Sequence, residues 1–216
     1  MLYSSLLLSF CHLPPLPLTP ASLRTATDTC GQQGNAFWNG RGGKIFNNTF
    51  KNIRNLDGTG VQGPSVQALY LDDEMSGYEV YNNRFINCQA GTFIGGGRDN
   101  HFHNNYYENC DLVQHFDNRG MGWQNYGCNC TNGTGCNPAA AWAVVSNPNS
   151  AAYVRAFPEV KTAVLTSHGG KDICVPVNNL VENNRYCKCK KYKDVTDAQV
   201  TAWKSVFRNN SEVHDC

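Results

Sequence analysis

The chain is short of charge. Only 16% of its 216 residues are Asp, Glu, Lys or Arg, and 18 basic against 17 acidic side chains leave a net charge of +1. So even a balance excludes a broad electrostatic pull toward nucleic acid or an anionic membrane, and neither is expected as a partner. An apolar run able to span a bilayer is also missing. The N-terminal "MLYSSLLLSFCHLPPLPLTPAS" is too short, is broken by Pro14, Pro15, Pro17 and Pro20, and has no Lys or Arg before Arg24. Residues 1–29 are read either as a poor secretion signal or as a poorly ordered N-terminus. No C-x2-C pair exists. Cys128–Cys130 and Cys187–Cys189 are C-x-C, which does not fit the common zinc templates. The glycine run "GGGRDN" (95–100) is followed by no Lys-Ser/Thr pair and opens no helix, so it is no phosphate loop. Neither a metal nor a cofactor is expected.

Eleven cysteines are present, and with zinc set aside they read as disulfides formed in an oxidising compartment. Four N-x-[ST] sequons, at Asn47, Asn129, Asn132 and Asn209, agree with a secreted, extracellular protein. Asn and Gly are plentiful, which favours tight turns over long exposed helices. The length suits one domain with a sizeable core, expected as a monomer.

One phrase recurs: apolar, any residue, Asn-Asn, any residue, aromatic. It stands as "IFNNTFKNI" (45–53), "VYNNRFINC" (80–88), "FHNNYYENC" (102–110) and, incompletely, "LVENNRYCKC" (180–189). Asn83 to Asn105 and Cys88 to Cys110 both span 22 residues. A period near 22 with short strands and no helix between repeats predicts an all-β fold, a right-handed parallel β-helix. Stacking at about 4.8 Å per coil would then place equal positions in ladders. Asn48, Asn83, Asn105 and Asn184 form one, with Asn at a left-handed corner; Phe50, Phe85 and Tyr107 form a second; Ile53, Cys88 and Cys110 a third. Cys88 and Cys110 either bond across coils or stay as buried thiols. An antiparallel sandwich of short strands, the rival fold, predicts no such ladder.

The β-helix is expected over residues 30–189, with a loop and helical insertion at 126–176. Residues 190–216 form a helical cap. "TDAQVTAWKSVF" opens with a capping box from Thr196 to Gln199. Val200, Trp203 and Phe207 share a face, so the helix is expected to cover the open end of the stack.

The candidate site starts from "LYLDDEMSG" (69–77), a strand that ends on adjacent carboxylates. Asp73 and Asp117 lie 44 residues apart, two periods, so the 22-residue register puts them in one column with Gly95 between. Two coil rises separate the backbones by about 9.6 Å. Glycosidase carboxyl pairs stand roughly 5–5.5 Å or 6.5–9.5 Å apart. A sugar could therefore lie over Gly95 and the "IGGGRDN" floor that includes Arg98 and Asp99. The same register places Asp72 in the column of Ile94 and Phe116, pointing inward or capping turn amides. His115, Arg98 and Arg119 are candidates to bind substrate or tune the acids, and Trp123 with Tyr126 a platform for a sugar ring. The plainer alternative is that Asp ends these strands because it accepts turn amides. His101 and His103 read as solvated strand residues.

"LYLDDEMSG", "YNNRFINC", "FIGGGRDN", "NNYYENC", "FDNRGMGW" and "RAFPEV" resemble, in order, right-handed parallel β-helix proteins of the pectin-lyase-like fold, close to glycoside hydrolase family 141. The resemblance covers roughly residues 40–185. It implies an extracellular, carbohydrate-active protein in which the acids of the D-D-x-x-S-G and D-x-R-G motifs are the catalytic pair. Those map onto Asp73 (or Asp72) and Asp117. The chain departs from the family in lacking its long N-terminal portion and in carrying a cysteine-rich loop. A glycoside hydrolase acting on a complex polysaccharide is the expected function, one acid protonating the leaving oxygen and the other acting as base or nucleophile. The alternatives are a polysaccharide lyase, with Arg98 or Arg119 neutralising a uronate, and a non-catalytic glycan-binding or matrix module.

Overall fold

A computed structural model of the chain describes residues 41–55, 66–72, 75–122, 151–158 and 175–216. The elements run β1 (Lys44–Phe46), β2 (Thr49–Lys51), β3 (Gln67–Leu71), β4 (Glu79–Tyr81), β5 (Arg84–Ile86), β6 (Ala90–Gly95), β7 (His101–His103), β8 (Tyr106–Glu108) and β9 (Leu112–Asp117). A single 3-10 turn (Arg119–Met121) and a short helix α1 (Ala151–Ala156) follow. Then come β10 (Leu180–Glu182), β11 (Arg185–Cys187), β12 (Lys191–Lys193), α2 (Asp197–Ala202), β13 (Val206–Arg208) and β14 (Ser211–Glu212).

The strands form three sheets. The first is ordered β1-β4-β7-β10-β13, the second β2-β5-β8-β11-β14 and the third β3-β6-β9-β12. Every pairing is parallel. The chain visits the sheets in turn and returns one strand further along each time. This all-β arrangement is compatible with a parallel β-helix, and the sandwich alternative is excluded.

Corners between strands need a residue with positive φ. Asn47, Asn82, Asn104, Asn183 and Asn209 supply it between the first and second sheets, at φ 53–57°. Asn52, Asn87, Asn109 and Lys188 do so between the second and third, at φ 50–59°. Asn enters the left-handed region more cheaply than other side chains. In each Asn-Asn pair the first residue therefore makes the corner. The ladder belongs to the second, which corrects the expectation that one residue does both.

That ladder is continuous. The Nδ2 of Asn48 donates to Asn83 Oδ1 at 3.1 Å, Asn83 to Asn105 at 3.1 Å and Asn105 to Asn184 at 3.0 Å. A fifth rung, Asn210, which accepts from Asn184 at 2.9 Å, was not expected from the sequence. Each buried amide also serves backbone groups, so the column satisfies its polar atoms without water. Phe50, Phe85 and Tyr107 stack with centroids 4.8 Å apart at both steps. Val80, Phe102 and Val181 fill the inward face of the first sheet.

Ile53, Cys88 and Cys110 fill their inward column, with Cys88 and Cys110 buried; Cys189 continues it. All three cysteines are free thiols, whereas Cys187 and Cys216 form a disulfide with Cα atoms 6.4 Å apart. The capping box of Thr196 and Gln199 is present. The helix it opens, α2, has only six residues and is not the last element. Lys204 turns left-handed at φ 48°, so Phe207 sits on β13 and not on a helix face. Val200 and Trp203 pack on the core, Trp203 edge-on to Phe116 at 5.1 Å, and β13 and β14 add a further rung beyond them. Among the described residues no helix is long and apolar enough to cross a membrane.

Candidate functional site

The third sheet carries the site, and its register decides which residues meet. Leu69 pairs with Thr92, Tyr70 with Phe93 and Leu71 with Ile94; these align in turn with Gln114, His115 and Phe116. The step from β3 to β6 is thus 23 residues, not 22: 94 − 71 = 23, against 116 − 94 = 22. The cause is one extra residue between Leu71 and Glu79 compared with the stretch from Ile94 to His101. A slip of one residue exchanges the faces of a strand. Leu71, Ile94 and Phe116 point inward and are buried. Asp72, not Asp73, then follows Leu71 into the column of Gly95 and Asp117. The expectation that Asp72 points inward is corrected by the same register. Asp73 and Trp123, with Tyr126, lie outside the described residues.

Gly95 is not an open floor. A Cβ there would stand 2.9 Å from the carbonyl oxygen of Leu71, 3.0 Å from Cζ of Arg119 and 3.1 Å from the Phe93 ring. The space belongs to the Arg119 guanidinium, whose side chain is 6% exposed. Nε and Nη2 of Arg119 donate to Asp117 at 3.0–3.2 Å. Nη1 pairs with Asp72, and Nη2 also reaches the Tyr70 hydroxyl at 3.2 Å. The guanidinium lies over the Phe93 ring at 4.8 Å. Burial works against its charge, yet its hydrogen bonds to Asp117 and Tyr70 and the Asp117 charge hold its pKa above the ordinary value. The backbone sets this up locally. β9 ends at Asp117, and the 3-10 turn that follows folds Arg119 back so that its own N–H also donates to Asp117 at 3.2 Å.

His115 stands on the same outer face, stacked on Phe93 at 4.3 Å. Its Nδ1 is held by Asp194, whose other oxygen accepts from the Phe116 N–H at 3.1 Å. Among the described residues, the second ring nitrogen has no hydrogen-bond partner. A carboxylate behind one nitrogen fixes the tautomer and leaves the other free to accept or donate a proton.

Of the expected residues, Asp72, Asp117, Arg119 and His115 come together. Arg98 and Asp99 are placed at the corner leading to β7. There Arg98 Nε meets Asp99 at 3.3 Å and Asp99 also binds Arg41 Nη2 at 2.7 Å. Asp99 lines a pocket with Lys44, Glu79 and His101, on a different face. Asp194 and Tyr70 were missed. Asp194 follows β12, which pairs with β9 at an offset of 79 residues (191 − 112 = 79), and 194 − 115 is also 79. The offset was already readable from Asn105 and Asn184. No family model, no curated protein and no solved structure matches the chain.

Proposed function

We propose that the chain is an extracellular, carbohydrate-active right-handed parallel β-helix, similar to the pectin-lyase-like proteins, that hydrolyses a polysaccharide at the outer edge of its third sheet. The observation that carries this reading is the convergence of Asp72 and Asp117, from windings two apart, on one guanidinium above Gly95. Sharing that group draws the carboxyl groups closer than the two coil rises, about 9.6 Å, that separate their backbones. One acid protonates the leaving oxygen and the other serves as base or nucleophile. Tyr70 and the His115 ring border the acids and offer a flat face and a hydrogen bond to a sugar. Arg119 positions both acids through its contacts with Asp72 and Asp117.

A lyase would use Arg119 to neutralise a uronate and His115 as the base. Charge argues against it. Asp72 and Asp117 place two carboxylates against one guanidinium, and a third, Asp194, stands on His115, so a uronate would be repelled and a neutral sugar favoured. The test is release of reducing ends from fucose-, xylose- and uronate-containing polysaccharides by the parent chain and by Asp72→Asn, Asp73→Asn and Asp117→Asn variants of unchanged circular dichroism. The expected result is release by the parent and by Asp73→Asn, with losses of about a hundredfold or more in the other two. Unsaturated uronate products, glycan retention without turnover, or full activity in Asp117→Asn each overturn the hydrolase.

A further inference from the structure

The outer face of the first sheet carries a second cluster, independent of the carboxylates beside Arg119. His101 and His103 alternate on β7, so both project from the same face. Glu79 on β4 pairs in register with His101, and Glu182 on β10 with His103. The contacts run along the diagonals. Oε1 of Glu79 meets Nε2 of His103 at 3.1 Å, and Oε1 of Glu182 meets Nε2 of His101 at 2.9 Å. The two imidazoles lie 4.2 Å apart, centroid to centroid. Ligand atoms of Glu79, His101 and His103 all fall within 4.8 Å of one another.

We propose that Glu79, His101 and His103, whose ligand atoms already converge, bind one divalent transition-metal ion, with Zn²⁺ the best fit and Glu182, now on His101, closing in as the fourth donor. Four donors at about 2.0–2.2 Å in a tetrahedron stand about 3.3–3.6 Å from each other. The diagonal contacts are already near that spacing. Two imidazoles select zinc, copper, nickel or cobalt over calcium and magnesium, and the carboxylates add anionic oxygen donors. The outer contacts resemble those that orient metal ligands. Each carboxylate has one oxygen on an imidazole and the other on a cation. Lys44 Nζ holds Oε2 of Glu79 at 2.8 Å, and Arg208 Nε holds Oε2 of Glu182 at 2.7 Å. The His103 Nδ1 faces the Asn104 amide at 3.0 Å. Turned over, that amide offers its oxygen and fixes the proton on Nδ1, leaving Nε2 for the ion.

Both carboxyls are held below the usual glutamate range. For Glu79 the main cause is the Lys44 hydrogen bond, opposed by burial and helped by His103; for Glu182 it is the Arg208 hydrogen bond, opposed by burial and helped by His101. A pocket of about 210 Å³ lined by Gly43, Lys44, Glu79 and His101 opens beside the cluster and gives an ion a route in. A bound ion would clip β4, β7 and β10 together, three successive windings.

The test is titration of the untagged, metal-stripped full chain at about pH 7 with Zn²⁺ against a chromophoric chelator, repeated with Co²⁺ for its visible spectrum. One equivalent should bind, with affinity lowered at least tenfold in His101→Gln and in His103→Gln. The Nε2 ¹⁵N resonances of His101 and His103 in the parent should shift on loading, a readout that needs no variant to fold. Absence of saturable binding, or no movement of those resonances, overturns the site. So does undiminished binding in a folded His101→Gln/His103→Gln double variant, which would move the ion elsewhere, with Cys88, Cys110 and Cys189 the first place to look.

Discussion

At the corner between the first and second sheets, five windings present the same side chain: Asn48, Asn83, Asn105, Asn184 and Asn210. At the outer end of the third sheet, three windings present Asp72, Gly95 and Asp117, and the gap is filled by Arg119 from the following turn. Both columns occupy register positions of one stack. The first is neutral, self-complementary and unlimited in length, because every amide donates to the next and accepts from the last. The second is charged and closes on itself after three windings. Repetition in such a fold builds the frame. A column whose members differ, and whose differences fit each other, is where a site can be sought.

Breaking the middle of the asparagine column should have the largest effect. Asn105→Ala removes the acceptor used by the Asn83 N–H and amide and the donor used by the Val80 carbonyl. Denaturant unfolding should show a loss of about 3–5 kcal/mol, since several buried polar groups lose partners together. Asn48→Ala, at the end of the ladder, should lose about 1 kcal/mol. Equal losses at the two positions would mean that the column is not cooperative.

Arg119→Met should come next. It leaves Asp72 and Asp117 facing each other, with side chains 17% and 27% exposed. Partial exposure trims the usual penalty for an uncompensated buried charge to about 2–4 kcal/mol. A thermal melt of Arg119→Met with Asp72→Asn and Asp117→Asn should recover much of that loss. No recovery would show that the arginine acts through packing on Phe93 alone.

Gly95→Ala should cost about 1–3 kcal/mol, because the added methyl meets a backbone carbonyl that cannot move freely and displaces the guanidinium. Chemical denaturation measures it, and a neutral outcome would place Arg119 away from Gly95.

The smallest effect concerns pH. In the folded chain the carboxyl of Glu79 is held below the usual glutamate value of 4.5, chiefly by its hydrogen bond with Lys44. A lowered native pKa gives stability that is complete above the unfolded value and is lost as pH falls through the native one. Glu79→Gln should therefore flatten the acid limb of the stability curve below about pH 4.5 and change little near neutrality. An unchanged acid limb would mean that the Lys44 pair is screened away at this half-exposed position.

How legible these regions were in the sequence follows from the same contrast. The asparagine, aromatic and cysteine columns could be read directly, because identical chemistry returned at a fixed spacing. The register of Asp72 could not. One extra residue between Leu71 and Glu79 shifts the third sheet without disturbing the first, and a fixed 22-residue comb passes over it. Asp194 was hidden by the long excursion after β9, although the offset of Asn184 from Asn105 gave the needed spacing. Asn210 is obscured for another reason. The apolar period that opens at Thr196 runs on through Phe207, and this helical pattern conceals the Asn-Asn pair just beyond it.

The asparagine rungs stand 35, 22, 79 and 26 residues apart along the chain, yet each meets its neighbour with nearly the same hydrogen bond. Length is absorbed at the bends and never in the stacked strands. The windings consequently behave as interchangeable beads on a thread. Segments of widely different size can be spliced in at a bend without disturbing what lies above or below, which lets such a protein acquire new surface features while its central column is inherited unchanged.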